Sequence, residues 1–223
     1  MNQSKIPAKT RLLSVAIFMS LIFAVLGFTV QLPALTAQET SWLWELQHWQ
    51  PSGLMQVSIA LAYVGGTPGM AVIILLISSF AYKQQRRDIS LFAMVAFAGS
   101  VMTGWIGKEI ISRPRPEVWD KVAPYYGYSF PSNHSVYAVI LAGILIMASL
   151  HTRWRNHAVV FGMIWSVLMG VSRMYLGAHF ATDVLGGWVL AIAWLCLLSW
   201  VFIHFNLFQY RASTPAGNHE VKL

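Results

Sequence analysis

Charge is scarce in this chain. Asp, Glu, Lys and Arg together make up 10% of its 223 residues, against about 25% in a typical soluble domain, too few to clothe a water-exposed surface of that size. Acids are the scarcer sign: 8 Asp and Glu stand against 15 Lys and Arg, a formal net charge of +7. Such an excess alone would suggest nucleic acid, but no polar, basic stretch exists to hold it, so no nucleic-acid partner is expected. The single cysteine, Cys196, lies inside an apolar run, which excludes an intrachain disulfide framework and any cysteine-cluster metal site. Apolar residues fill the chain instead. They make up 57% of it, with 10 Trp, 12 Phe and 8 Tyr, rings of the kind that gather at membrane interfaces. The chain reads as one membrane-embedded, all-α domain over 1–223.

A helix crosses the hydrocarbon layer with about 20 apolar residues, and six runs qualify. The first, 12–30, follows Lys5, Lys9 and Arg11. A cleavable signal is the competing reading, disfavoured by the length of the run and the lack of an Ala-x-Ala site. The stretch 31–53 carries Glu39, Glu45, Trp42, Trp44 and Trp49 but no Lys or Arg, and reads as an interfacial segment or a polar loop. The second run, 54–82, is interrupted by Gly65-Gly66-Thr67-Pro68-Gly69, which predicts a kink or break; the part before it either crosses or lies in the interface. The remaining runs are 89–111, with small residues at Gly99, Ser100, Gly104 and Gly107 that permit close helix packing, then 135–150, 158–175 and 184–205.

Six crossings with both termini in the cytoplasm place Lys5, Lys9, Arg11, Lys83, Arg86, Arg87, Arg153, Arg155, Arg211 and Lys222 inside, as the positive-inside rule requires. Lys108, Arg113, Arg115, Lys121 and Arg173 remain on the outer side. Lys121 reads as a solvated loop charge, and Arg173 has snorkelling from a helix end as its bland reading. Cations beside apolar helices on the side that usually excludes them call for an anion. Three short segments on that side also hold the other costly polar groups: Lys108 to Arg115-Pro116, Pro131-Ser132-Asn133-His134, and Ser172-Arg173 through His179 to Asp183. His179 and Asp183 are four apart and share one helical face, so a carboxylate can fix the tautomer of an imidazole. His48, His151, His157, His204 and His219 read as interfacial residues, and Cys196 and the Met residues as packing.

The three segments resemble the signature of the type 2 phosphatidic acid phosphatase superfamily: Lys-x6-Arg-Pro, Pro-Ser-Gly-His and Ser-Arg-x5-His-x3-Asp. The first and third match in full; the second has Asn133 where the family usually has Gly. Asn tolerates positive φ better than other non-glycine residues, so a turn there is expected to survive, with the pocket narrowed or a donor added. In Arg113-Pro114-Arg115-Pro116 the spacing selects Arg115 and leaves Arg113 as an auxiliary cation at best. The resemblance implies that His179 attacks phosphorus and forms a phosphohistidine, oriented by Asp183, with His134 as general acid and then base.

Phosphoryl transfer asks a protein mainly for positioning and charge stabilisation. Lys108, Arg115 and Arg173 can supply fixed cations, with Ser132, Asn133 and the backbone amides of the following helix as further donors or pocket walls. Acids are too few for a metal cage (Asp183, with Glu109, Glu117 and Asp120 nearby), so neither a metal nor another cofactor is expected. The expected substrates are lipid phosphates or pyrophosphates of the outer leaflet, with membrane lipids as surroundings. For a bacterial chain the resemblance points to undecaprenyl pyrophosphate or phosphatidylglycerophosphate, with the active site facing the periplasm or exterior of the inner (plasma) membrane. A phosphotransferase using the same site, or a transporter of anionic lipids, are the alternatives.

Overall fold

The computed structural model describes residues 8–48, 53–118 and 126–208; Lys5, Trp49, Asp120, Lys121, Arg211, His219 and Lys222 lie outside them. Eight helices and no strand occur among the described residues: α1 (Ala8–Thr29), α2 (Pro33–His48), α3 (Leu54–Gly65), α4 (Thr67–Lys83), α5 (Arg87–Ile111), α6 (Asn133–Ser149), α7 (Arg155–Tyr175) and α8 (Ala181–His204). Four are long and apolar enough to cross a membrane (α1, α5, α7 and α8), and the bent pair α3–α4 makes a fifth candidate span. The run expected as the fourth span, α6, has 17 residues, about 26 Å of helix at 1.5 Å per residue. Helix α6 packs against α3, α4, α5, α7 and α8, and so meets protein where the other long helices meet lipid. The chain is a multi-pass membrane protein.

The glycine-proline interruption breaks the second run as expected, and the two parts meet at 60°. Pro68 has no N–H to donate to Val64, and Gly66 is extended, with ψ of 167°, so the helical ladder stops and restarts. The stretch 31–53 is helical over Pro33–His48 rather than a loop. It forms α2, which buries Glu39 and Leu43 against protein while Trp42 and Trp44 stay exposed. The reason is a charge partner from a distant part of the chain, described below.

Small residues draw the long helices together where no hydrophobic effect drives them. Gly99 of α5 receives the ring of Trp194, and Gly170 of α7 lies under Val184 and Trp188. Phe92, Tyr137, Ile140, Ile144 and Phe202 form an apolar core that runs from beneath the start of α6 towards the end of the bundle opposite residue 111, with Phe92 and Phe202 edge to face at 5.2 Å. The ends of α5 and α7 and the starts of α6 and α8 meet at the other end. There Gly187 of α8 passes the start of α6 so closely that an added Cβ would stand 2.7 Å from the Ser132 carbonyl oxygen and 2.9 Å from Ser135 Cβ. Backbone joins the same two elements: Ser132 N–H donates to the Asp183 carbonyl at 3.0 Å.

Gly187→Ala should therefore force α6 and α8 apart, at a cost of about 1–3 kcal/mol, the usual scale of overpacking. Thermal melting of the purified protein in detergent reads it, and an unchanged midpoint would contradict this account of the contact.

Candidate active site

Each polar segment singled out in the sequence sits at a helix end, and all of them at the same end of the bundle. Lys108 lies in the last turn of α5, His134 and Asn133 in the first turn of α6, Arg173 in the last turn of α7 and Asp183 in the first turn of α8. Helix α7 ends on Gly177 at φ of +61°, where the Ala178 N–H reaches back to the Arg173 carbonyl at 3.1 Å. That left-handed closure turns the chain so that His179 is set beside α8. Lys108, Arg115, Asn133, His134, Arg173 and His179 line one cavity of about 370 Å³, walled also by Ala62, Tyr63, Gly66, Thr67, Pro68, Trp105, Tyr126 and Tyr137. Asp183 and Ser132 are buried behind it.

His179 is held from both sides. Arg115 Nη1 lies 3.1 Å from its Nε2, and a guanidinium can only donate, so Nε2 carries the lone pair and Nδ1 the proton. Nδ1 in turn stands 3.5 Å from Asp183 Oδ2, a loose contact without hydrogen-bond geometry. Asp183 is committed elsewhere: Oδ2 accepts from the Phe180 N–H at 2.9 Å and from the Ser129 hydroxyl, and Oδ1 accepts from Arg113 at 2.7 Å. Burial, and then the positive charges of Arg115, Lys108 and Arg173, push the His179 pKa well below the ordinary imidazole value. The ring stays neutral, the form a nucleophile needs.

His134 faces the same cavity from α6. Its Nε2 is 2.9 Å from the Ala62 carbonyl oxygen, which can only accept, so Nε2 bears a proton and Nδ1 is the nitrogen left to exchange one. The carbonyl is available because α3 ends at the glycine break. Lys108 donates to the carbonyls of Tyr128 and, at 3.4 Å, Ser129. Arg115 donates to those of Gly127 (2.9 Å), Tyr126 (2.8 Å) and Ala178 (2.8 Å). Arg173 is fully buried on the cavity wall, in the interior rather than snorkelling outward. The Ser132 hydroxyl and Asn133 Oδ1 are buried without hydrogen-bond partners among the described residues.

The expectation for Asn133 needs correction. Among the described non-glycine residues positive φ occurs at Gln85, Ser112 and Asn206, not at Asn133, which is simply the first residue of α6. Glycine at this position would provide room and no special backbone angle. The room Asn133 takes comes from α5, where a Cβ at Gly104 would stand 2.6 Å from Asn133 Oδ1.

The model of the PAP2 superfamily matches residues 88–206. The chain belongs to the PAP2 superfamily. Among PAP2 relatives it is 28% identical over 144 residues to phosphatidylglycerophosphatase B of Bacillus subtilis, covering 62% of this chain and 70% of that one. It is 29% identical over 123 residues to an undecaprenyl-diphosphatase of Sulfolobus acidocaldarius, covering 52% and 56%. Human sphingosine-1-phosphate phosphatase 2 is 32% identical over 130 residues, 53% of this chain and 30% of its own length. The fold is also that of a crystal structure, a transmembrane PAP2 type phosphatidylglycerolphosphate phosphatase from Bacillus subtilis, at a TM-score of 0.78 and 22% identity over 88% and 98% of the two chains. As a PAP2 protein the chain is a phosphatase.

Several residues at this PAP2 site carried no signal in the sequence. Arg113 is not an auxiliary cation at the cavity. It is buried, and its guanidinium bridges Asp183 and Glu39, 2.7 Å from each. Ser129, Thr182, Glu39 and the Ala62 carbonyl were also missed. Doubling of the Arg-Pro pair was the one hint, since the spacing from Lys108 selects Arg115 and leaves Arg113 without a role. Nothing local could join position 39 to position 113.

Because the folded protein keeps His179 neutral while an unfolded chain protonates it below about pH 6.5, the sign is fixed: this residue's contribution to stability declines as pH falls past that value. Nitrogen-15 histidine spectra, with His179 assigned by loss of its signal in His179→Gln, should show a neutral Nδ1–H ring at pH 5.5, about one unit below the ordinary imidazole value. A ring that is mostly imidazolium there would contradict the assigned environment.

Proposed function

We propose that this protein removes phosphate from lipid phosphates or pyrophosphates through a phosphohistidine on His179, with its site at the outer face of the plasma membrane (the periplasmic face in a bacterium with two membranes). The observation that carries this reading is the contact between Arg115 Nη1 and His179 Nε2, 3.1 Å, at a cavity shared with Lys108, Arg173 and His134. A lone-pair nitrogen and a cluster of cations meet where one phosphate can touch both. The Nε2 lone pair attacks phosphorus as the bond to the leaving oxygen breaks, and His134, protonated on Nδ1, passes that proton to the departing oxygen. Water then attacks the phosphorus, His134 Nδ1 takes its proton, the P–N bond breaks and inorganic phosphate leaves. Lys108, Arg115 and Arg173 hold the phosphoryl oxygens in both steps, and Asp183 steadies the Nδ1–H. Electrostatic preorganisation of this kind is usually the largest catalytic contribution, and the general acid adds about 10²–10⁴-fold. Fixed cations then do what a magnesium ion does elsewhere, and no metal is required.

An apolar bundle around an anion site suits a substrate whose chain stays in the bilayer while its head enters the cavity. The relatives named for undecaprenyl diphosphate and phosphatidylglycerophosphate support one of those lipids, the prenyl pyrophosphate foremost. The orientation follows from charge: Lys9, Arg11, Lys83, Arg86, Arg87, Arg153 and Arg155 stand at helix ends opposite the site, as six crossings with both termini in the cytoplasm require. Ionisable residues gathered at one end, away from the midplane, favour an enzyme over a lipid transporter.

Purified protein with labelled undecaprenyl pyrophosphate should release inorganic phosphate, equally well in EDTA, and His179→Ala should abolish release without changing the melting midpoint. Label appearing on a second lipid would make the protein a phosphotransferase. Full activity in folded His179→Ala, or chelator inhibition reversed by magnesium, would overturn the mechanism.

A further inference from the structure

Arg113 is turned away from the cavity. It does not line the cavity, yet it is 1% exposed and every contact of its fork is made to groups behind the catalytic histidine. Nη1 donates to Asp183 Oδ1 at 2.7 Å and to the Thr182 hydroxyl at 2.8 Å. Nη2 donates to Glu39 Oε2 at 2.7 Å. Its plane lies over the Phe180 ring, 4.1 Å from the centroid. Glu39 is fixed in turn by the Thr182 N–H at 2.8 Å and by the Thr182 hydroxyl.

We infer that Arg113 and Glu39 are positioning residues for the reaction, a clamp that fixes the plane and charge of Asp183 beside His179 and makes α2 a working part of the active site. The inference rests on His179 acting as the nucleophile. Two physical arguments support it. The first is geometric: with Oδ1 tied to Arg113 and Oδ2 to Ser129 and the Phe180 N–H, the carboxylate cannot rotate, so its distance to Nδ1 is set by where Glu39 and Thr182 hold the guanidinium. The second is electrostatic. A buried Arg–Asp pair alone would be neutral and would pull weakly on the Nδ1 proton. Adding the Glu39 carboxylate gives the group one net negative charge, which stabilises the positive charge that develops on His179 as its Nε2 bonds to phosphorus. A purely architectural tie between α2 and α8 needs only the hydrogen bonds, and glutamine at 39 can make those.

The test is Glu39→Gln, with Arg113→Lys as a second variant that keeps charge but loses the fork. Each is compared with wild type for phosphohistidine formation in a single turnover, kcat and KM, using labelled undecaprenyl pyrophosphate, and for thermal melting. Glu39→Gln is expected to slow phosphohistidine formation and kcat by about 10- to 10²-fold, the scale of a small misplacement at a reacting group, with KM unchanged and melting lowered but still cooperative. Arg113→Lys should do the same or worse. Unchanged kcat in folded Glu39→Gln overturns the clamp, and so does a raised KM at constant kcat, which would make Arg113 and Glu39 aids to binding. If both variants lose cooperative melting, the network is architectural and the inference is also overturned. A wild-type protein that forms no phosphohistidine sinks the proposed function itself, a result distinct from each of these.

Discussion

Buried positive charge is the constraint on which the rest of this molecule depends. Lys108, Arg113 and Arg173 are almost completely enclosed at one end of an apolar bundle, where an uncompensated ion is costly. Each therefore dictates what surrounds it. Arg113 takes the carboxylates of Glu39 and Asp183, and Lys108 takes carbonyls of the segment before α6. The helices could pack in many ways through small residues alone. The way that satisfies these cations brings the last turns of α5 and α7 to the first turns of α6 and α8.

The helix ends supply geometry that side chains alone would not. Asp183 in the first turn of α8 accepts the Phe180 N–H, so it caps the helix while it faces His179. The interrupted helix does a similar service for His134, because a carbonyl released at Ala62 fixes the proton on its Nε2. Two imidazoles at one cavity thus present opposite tautomers, one with Nε2 as acceptor and one with Nε2 as donor. The division of labour proposed for them, nucleophile and proton carrier, follows from their backbone surroundings.

Much of this was legible in the sequence where chemistry is carried by short spacings. The distance from His179 to Asp183, or from Lys108 to Arg115, is fixed within a turn or two of chain, and the basic turns mark the opposite end of the bundle. The broken span was readable because proline and glycine act locally. Glu39 was not, since its meaning comes from Arg113, 74 residues away, and a lone acid in a Trp-rich stretch looks interfacial. Hydropathy alone does not separate α6 from a buried core helix: at 17 residues it is short for a span and packed on all sides by protein, and protein and lipid ask for the same residues. Asn133 was misjudged because glycine has two virtues, and the one that matters here is its small size.

The carbonyls on Arg115 and Lys108 have a consequence of their own. Tyr126, Gly127, Tyr128 and Ala178 already occupy donors that a phosphate would use, so the resting site holds a surrogate made of its own backbone. On the proposed function, entry of substrate is then an exchange of ligands. A neutral headgroup gains nothing by displacing a peptide oxygen from a guanidinium, whereas a doubly charged anion gains a great deal. On the proposed function, these carbonyls before α6 and α8 would make charge the first thing the site reads in a headgroup.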